Sequence, residues 1–168
     1  MRRSAGVFVI ISVLVTILWG CGSDADEEAA AEAAKAYLAH FYEVTDYPPS
    51  TVDASSLQER QAQLQPYATE EWLESLLANR VLGLPFMIAQ REQAAVSAQD
   101  IQLSHSSEDE DVIAYTYRMK VMLRDDAKEM TSIPVEGSIT LAKTNGTWKV
   151  NNDINRNRND LLALTTGS

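Results

Sequence analysis

The chain has 168 residues, of which 24 are acidic and 14 basic, so its formal net charge is −10 at neutral pH. The two arginines at positions 2 and 3 precede every acidic residue, and the part from Cys21 onward carries 12 basic against 24 acidic residues, a charge of −12. Such a surface is repelled by phosphate backbones and anionic headgroups, which argues against nucleic acid or a polybasic membrane contact as partners. This length suits one domain, and a single cysteine excludes an intrachain disulfide.

The first twenty residues have the composition of an export signal. Residues 1–4 form a short basic start, and the next 15 residues are uncharged, with an apolar centre rich in Val, Ile and Leu. A helix needs about 20 apolar residues to cross a membrane, so this stretch is short for a spanning segment. We therefore predict a cleaved signal peptide over residues 1–20; the alternative is an uncleaved membrane anchor.

The segment Leu18-Trp19-Gly20-Cys21 resembles the bacterial lipobox, which has a branched apolar residue, two small or tolerant positions and an obligatory cysteine. The resemblance rests on Leu18, Gly20 and Cys21. It implies that diacylglycerol is attached to the Cys21 sulfur, that cleavage leaves Cys21 as the first residue, and that the product is a lipoprotein carrying palmitate-like acyl chains. Two such chains bury enough methylene groups to hold a protein on a bilayer. The expected location is the extracytoplasmic face of the cell membrane, lipid-anchored.

The exported part is predicted to consist of a lipidated tether over 21–29, an α+β domain over 30–154 and a polar C-terminal tail over 155–168. Segment 22–34 is small, acidic and rich in alanine, as in a solvated tether that continues into a helix. Apolar residues then recur at helical spacing, at Ala30, Ala34, Tyr37, Leu38 and Phe41. Pro48-Pro49 is expected to end this first helix. The tail either packs as a short helix or frays.

Two further helices are indicated by their start signals. Ser56 and Glu59 have capping-box spacing, and Thr69 precedes two acids that suit the positive end of a helix dipole. The third helix is expected to bury Trp72, Leu73, Leu76 and Leu77. Segment 81–89 is apolar but contains Gly83 and Pro85, so we predict a packed connection there.

From about residue 93 the apolar period changes from 3.6 to 2, which indicates strands. Residues 112–124 alternate strictly, residues 133–141 repeat the pattern, and Asn145-Gly146 offers a type I′ turn into 147–150. Residues 96–103 complete a four-stranded antiparallel set, with a bulge expected near Asp100. The acidic run 108–111 is expected at a hairpin tip.

Helices followed by an antiparallel sheet, closed by Asn145-Gly146-Thr147-Trp148-Lys149-Val150, resemble the nuclear-transport-factor-2-like (cystatin-like) superfamily over about residues 29–154. The resemblance implies N-terminal helices packed on a curved four-stranded sheet that forms a cone. Members include isomerases, dehydratases, ligand binders and envelope scaffolds, so the fold implies no single activity. Enzymes of the superfamily place a Tyr, Asp or His inside the cone. In this chain the candidate pocket residues are Tyr37, Tyr42, Asp100, Tyr115 and Tyr117, to which no catalytic role is assigned.

The two histidines do not indicate a metal site. His40 and His105 lie in different elements without a neighbouring ligand set, so we predict no metal and no cofactor.

The favoured hypothesis is a non-enzymatic binding or scaffolding domain of the cell envelope, whose partner is an envelope protein or a small ligand. The alternative is a cone-pocket enzyme of the isomerase or dehydratase type. An enzyme should enclose at least one desolvated Asp, Glu or His facing a cavity, whereas a scaffold should have a filled cone and an exposed apolar patch on its sheet.

Overall fold

The computed structural model describes residues 22–45, 52–124 and 131–166. These ranges contain five helices and four strands: α1 (Gly22–Tyr42), α2 (Ala54–Leu64), α3 (Glu70–Ala78), α4 (Leu84–Glu92), β1 (Ala95–Asp109), β2 (Val112–Arg124), β3 (Thr131–Thr144), β4 (Thr147–Asn155) and α5 (Arg158–Thr166). The strands form one antiparallel sheet in chain order. The predicted α+β order is thus confirmed. Residues 1–20, Cys21 and the predicted helix stop at Pro48-Pro49 lie outside the described residues.

Helix α1 forms the centre of the core because its apolar stripe contacts all four strands. The five residues predicted for that stripe are all buried: Ala30, Ala34, Tyr37, Leu38 and Phe41. They pack against inward-facing residues of the strands, among them Ile113, Val121, Ile139 and Leu141. The spacing of apolar residues in this helix therefore determines which of its faces meets the sheet.

The helix begins earlier than the sequence pattern indicated. Segment 22–29, predicted as a tether, forms the first turns of α1. The sheet fixes these turns, since Lys143 Nζ lies 2.7 Å from Asp26 Oδ1 and the Trp148 indole donates to the same oxygen at 3.3 Å. The Tyr115 hydroxyl also donates to the Glu27 carbonyl at 2.8 Å. Acidic and alanine-rich composition suits a solvated tether, but here the Asp26 side chain has partners on the sheet.

The helix starts differ from prediction in two places. Asp53, and not Ser56, caps α2. The Asp53 carboxylate accepts a hydrogen bond from the Ser56 amide at 2.9 Å, and the Ser56 hydroxyl oxygen accepts one from the Asp53 amide. This is a capping box in which serine takes the glutamate role. Segment 84–92 is a helix and not a connection, because Pro85 lies in its first turn, where no amide donor is needed. Thr69 caps α3 as predicted.

The sheet carries the predicted turn and the predicted bulge. Asn145 and Gly146 both have positive φ, 52° and 77°, as a type I′ turn requires. Near Asp100, whose φ is 54°, the pairing of β1 with β2 shifts register between Gln99 and Gln102. Strand β1 is longer than predicted and reaches Asp109, so the acidic run does lie at the β1–β2 tip.

The C-terminal segment packs on the domain. Strand β4 extends to Asn155, and helix α5 contacts α4 and buries Leu161. In helix α3, Leu73 and Leu76 are buried as predicted, whereas Leu77 is 42% exposed. None of the helices in the described ranges combines the length and apolar character that crossing a membrane would require.

Candidate functional site

A cluster of three tyrosines and one aspartate lies between the helices and the C-terminal end of β4. Tyr37 and Tyr42 come from α1, Tyr117 from β2 and Asp153 from β4. The Tyr117 hydroxyl donates to Asp153 Oδ1 at 2.9 Å. Beside it, Asn155 Nδ2 donates to the Tyr42 hydroxyl at 2.9 Å. We call this arrangement, with the cavity described below, the Asp153 pocket.

A bulge in β4 places Asp153 on the inner face of the sheet. Val150 pairs with Leu141, but the next pair is Asn152 with Thr140, so Asn151 is an extra residue. After the bulge, Asp153 lies opposite Ile139, whose side chain is buried, and opposite residues of an antiparallel pair share a face. Without the extra residue, the alternation that buries Val150 would turn Asp153 outward.

Helix α3 is joined to the same bulge. The Thr69 hydroxyl caps α3 by accepting from the Trp72 amide at 3.2 Å and donates to Asn151 Oδ1 at 3.1 Å. Trp72 then points into the cluster, where its indole donates to the Tyr37 hydroxyl at 3.0 Å. One threonine therefore links a helix start, a strand irregularity and a wall of the pocket.

Gly137 provides the space that lets Tyr117 reach Asp153. It pairs with Tyr117 on one side and with Asn155 on the other. A Cβ atom at position 137 would lie 2.5 Å from the Tyr117 Cζ and hydroxyl oxygen and 2.6 Å from the Ile154 carbonyl. The tyrosine ring thus occupies the volume that any other side chain at position 137 would fill.

Desolvation by the neighbouring protein raises the pKa of the Asp153 carboxyl to about 7, and the Tyr117 hydrogen bond opposes this shift. Among the described residues Tyr117 is its only hydrogen-bond donor, and it forms no ion pair there. Burial, and then the Asp153 charge, raise the pKa values of all three tyrosines, so they remain neutral phenols. The site therefore holds one carboxyl group that changes charge near neutral pH among uncharged hydrogen-bonding groups.

A cavity of about 190 Å³ opens beside this carboxyl. Its wall is largely apolar, with a few polar groups and one rim cation, and consists of Phe41, Tyr42, Trp72, Ser75, Leu76, Asn79, Val81, Leu84, Asp153, Ile154, Asn155 and Arg158. Asp153 is half-buried, so it retains part of its contact with solvent. One carboxylate oxygen binds Tyr117, which leaves the other available to a molecule in the cavity.

The five candidate residues named from sequence separate into two groups. Tyr37, Tyr42 and Tyr117 meet at Asp153, as described. Tyr115 is buried at the other end of α1, where its hydroxyl binds the Glu27 carbonyl and burial raises its pKa to about 12. Its role is therefore to fix the start of α1.

Asp100 is not a pocket residue. Its side chain is 60% exposed and lies 2.7 Å from Lys120 Nζ on the outer face of the sheet. The bulge at this position gives it a positive φ and turns it away from the core. The acid that faces the cavity is Asp153, which sequence reasoning missed.

Neither histidine has the surroundings of a metal ligand. His40 stacks on Tyr67 with 4.6 Å between ring centroids, and its Nδ1 lies 3.1 Å from a Glu43 carboxylate oxygen. His105 lies against the Tyr115 ring. In the part of the chain that the structure describes, no three His, Cys, Asp or Glu side chains are grouped to hold a metal ion.

Comparison with known proteins shows similarity of fold. No protein-family model and no curated protein matches the sequence. Among solved structures, an IcmL-like type IV secretion system protein from Legionella pneumophila aligns with 77% of this chain and 90% of its own, at 12% identity and a TM-score of 0.55. A periplasmic fragment of TraM aligns with 77% of this chain and 96% of its own, at 16% identity and a TM-score of 0.44.

Proposed function

We propose that this protein is a lipoprotein held on the extracytoplasmic face of the cell membrane by diacylglycerol on Cys21, and that its domain is a non-enzymatic binding module of the cell envelope. The anchor is supported by the basic start, the short apolar stretch and the sequence Leu18-Trp19-Gly20-Cys21. The net charge of −12 beyond the signal supports a covalent attachment, since it disfavours electrostatic attraction to anionic lipid.

The anchor is tested with Cys21→Ala in the full-length chain. Wild-type protein should fractionate with membranes, and its mass should equal that of the chain from Cys21 onward plus lipid. The variant should remain at precursor mass or appear in the soluble fraction. An unmodified thiol at Cys21 in mature wild-type protein would contradict the proposal.

A ligand pocket is supported by one observation, the desolvated Asp153 that faces a cavity, a feature that an enzyme would share. A scaffold should instead offer a continuous apolar patch. Among the described residues the exposed large apolar side chains are Leu77, Val112 and Ile154, which belong to three different elements. We therefore favour a small ligand in the Asp153 pocket over a protein docked on the sheet.

A fragment screen on the full-length protein in detergent tests this role. Bound fragments should shift the NMR signal of the Trp72 indole, which lies in the pocket wall, and leave that of Trp148 unchanged. A screen in which no fragment moves the Trp72 signal would count against a ligand pocket.

We further propose that the domain is a distant member of the nuclear-transport-factor-2-like superfamily and functions alongside other envelope proteins. Support comes from helices that precede a bulged antiparallel sheet and from the likeness to the IcmL-like protein, which is described as part of a type IV secretion system. Mild detergent extraction followed by native sizing tests the second part. Migration of the wild-type protein as an isolated monomer would oppose it.

The second candidate is a cone-pocket enzyme, which is favoured by the near-neutral pKa of Asp153 beside the phenols of Tyr42 and Tyr117. A carboxylate of this kind can remove a proton next to a carbonyl group. The measurement is deuterium incorporation from D₂O into a small ketone such as cyclohexanone. Acceleration by the wild type that Asp153→Asn abolishes would support the enzyme; equal rates with both would not.

A further inference from the structure

The Asp153 carboxyl forms no ion pair with any described residue, although it lies in a largely apolar pocket. The described surroundings of Asp153 supply only the neutral hydroxyl of Tyr117, and the other cluster members, Tyr37, Tyr42 and Asn155, are also uncharged. A buried carboxylate is stabilised when a cation reaches it and donates hydrogen bonds. Asp153 lines the cavity and only its Oδ1 accepts the Tyr117 hydrogen bond, so its second oxygen is the one that such a group would meet.

The walls around this carboxyl suit an organic cation better than a hydrated metal ion. Three of the lining residues are aromatic, namely Phe41, Tyr42 and Trp72, and aliphatic side chains from α3 and α4 complete the enclosure. Aromatic ring faces attract ammonium groups, while the apolar surface favours a hydrocarbon body. A metal ion would need several oxygen or nitrogen ligands, and the described residues contain no such cluster.

The size of the cavity limits the ligand. A volume of about 190 Å³ is below the roughly 300 Å³ at which pockets for drug-sized ligands begin. A single ring or a short branched chain with one amino group fills it. Arg158, an exposed cation in the pocket lining, disfavours a second positive charge on the same ligand.

From these observations we infer that the Asp153 pocket binds a small primary amine, whose protonated amino group contacts the free Asp153 oxygen and whose compact apolar body lies between Phe41, Trp72 and Leu76. This inference rests on the proposed binding function and specifies the ligand class. The acidic surface of the domain, at −12 overall, also raises the local concentration of cations around it.

The test compares three probes of one shape on the full-length protein in detergent: benzylamine, benzyl alcohol and benzoate. Titration calorimetry and the Trp72 indole signal report binding. Benzylamine should bind at least about tenfold more tightly than benzyl alcohol, since a charge-assisted hydrogen bond replaces a neutral one. Benzoate should bind more weakly than either, because it meets a like charge.

Three variants test whether the preference for benzylamine over benzyl alcohol arises in the Asp153 pocket. Asp153→Asn should reduce benzylamine affinity to that of benzyl alcohol while leaving the alcohol nearly unchanged. Arg158→Gln removes a like charge from the lining and should tighten benzylamine binding about two- to fivefold. Asp100→Asn, an exposed acid on the outer face, controls for general attraction to the acidic surface and should change nothing.

The outcomes separate the ligand class from the pocket itself. Equal affinity for the amine and the alcohol, or tighter benzoate, would overturn the amine inference while leaving a ligand pocket in place. If none of the three probes shifts the Trp72 indole signal, both the amine inference and the ligand pocket are overturned. Circular dichroism confirms that each variant is folded, which we expect for Asp153→Asn because it removes a buried charge.

Discussion

At the scale of single residues, Asp153 is a carboxyl group placed where water is scarce. Its pKa of about 7 in the fold exceeds the value of about 3.9 in an unfolded chain, so between these values the folded state binds more protons. The free energy of unfolding therefore decreases as pH rises through this window. The destabilisation is complete above about pH 7 and vanishes below about pH 4.

Asp153→Asn should remove this destabilisation. Near pH 8 we expect the free energy of unfolding to rise by about 1–3 kcal/mol, a range lowered for the partial solvent contact of the residue. Near pH 5, where the folded wild type is already protonated, the gain should be much smaller. Thermal unfolding of both proteins at the two pH values measures this, with Asp100→Asn as the exposed control. A gain that is equal at both pH values would contradict the assignment.

Gly137→Ala tests the space that Tyr117 occupies. The added methyl group collides with the Tyr117 ring and with the Ile154 carbonyl, so we expect a loss of about 1–3 kcal/mol in the free energy of unfolding. The pKa of Asp153 should also rise, because its Tyr117 hydrogen bond lowers it. Denaturant unfolding and NMR titration measure the two effects. The neighbouring substitution Ser138→Ala should produce neither.

At the scale of elements, a buried arginine closes the C-terminal end of α1. The Arg60 guanidinium, from α2, donates to the carbonyls of Phe41 and Glu43 and lies 5.3 Å from the centre of the Phe86 ring. Burial lowers its pKa to about 10, which still leaves it charged at neutral pH. It satisfies the carbonyl groups that a helix end leaves open and complements the negative end of the helix dipole.

Arg60→Ala should separate α2 from the end of α1. We expect a loss of about 2–4 kcal/mol in the free energy of unfolding, because two carbonyls lose a charged donor. Hydrogen exchange should rise most in the last turn of α1. Arg91→Ala, which removes an exposed arginine from the last turn of α4, is the matched control. Equal effects of the two substitutions would contradict a capping role.

At the scale of the whole molecule, the two ends of α1 point to opposite ends of the sheet. Its first turns contact Lys143 and Tyr115, which lie near the tips of the β3–β4 and β1–β2 hairpins. The chain just after α1 pairs Val44 with Val96, at the opposite end of the sheet. A helix of 21 residues spans about 31 Å. If Cys21 carries lipid, the hairpin tips are the end of the domain held next to the membrane.

This orientation predicts a difference between two labelled positions. A fluorophore on Thr144→Cys, near the β3–β4 turn, should be quenched by lipids that carry a headgroup quencher. The same label on Arg124→Cys, at the opposite end of β2, should be affected much less. The acidic β1–β2 tip shares the membrane end, so anionic lipid should reduce quenching at Thr144. Equal quenching at both sites would indicate that the domain tumbles freely on its anchor.

Short-range patterns in the sequence were sufficient for much of the fold. The apolar stripe of α1, the alternation in β2 and the Asn145-Gly146 turn each depend on side-chain spacing or backbone preference within a few residues. Gly83 and Pro85 predict a connection, whereas the structure has a helix over Leu84–Glu92, because a proline fits the first turn. The export signal and Cys21 are likewise read from local composition and remain predictions.

The pocket was decided by tertiary structure. If the alternation continued unbroken from Val150, Asp153 would point outward. It points inward because Asn151 is an extra residue in β4, where Thr69 from another part of the chain binds it. Its tyrosine neighbours could be named as inward-facing from their own elements, but nothing local showed that Tyr37 and Tyr117 meet an acid more than thirty residues away. Periodicity determines which face of an element is buried, whereas strand register and long-range contacts determine which residues meet on that face.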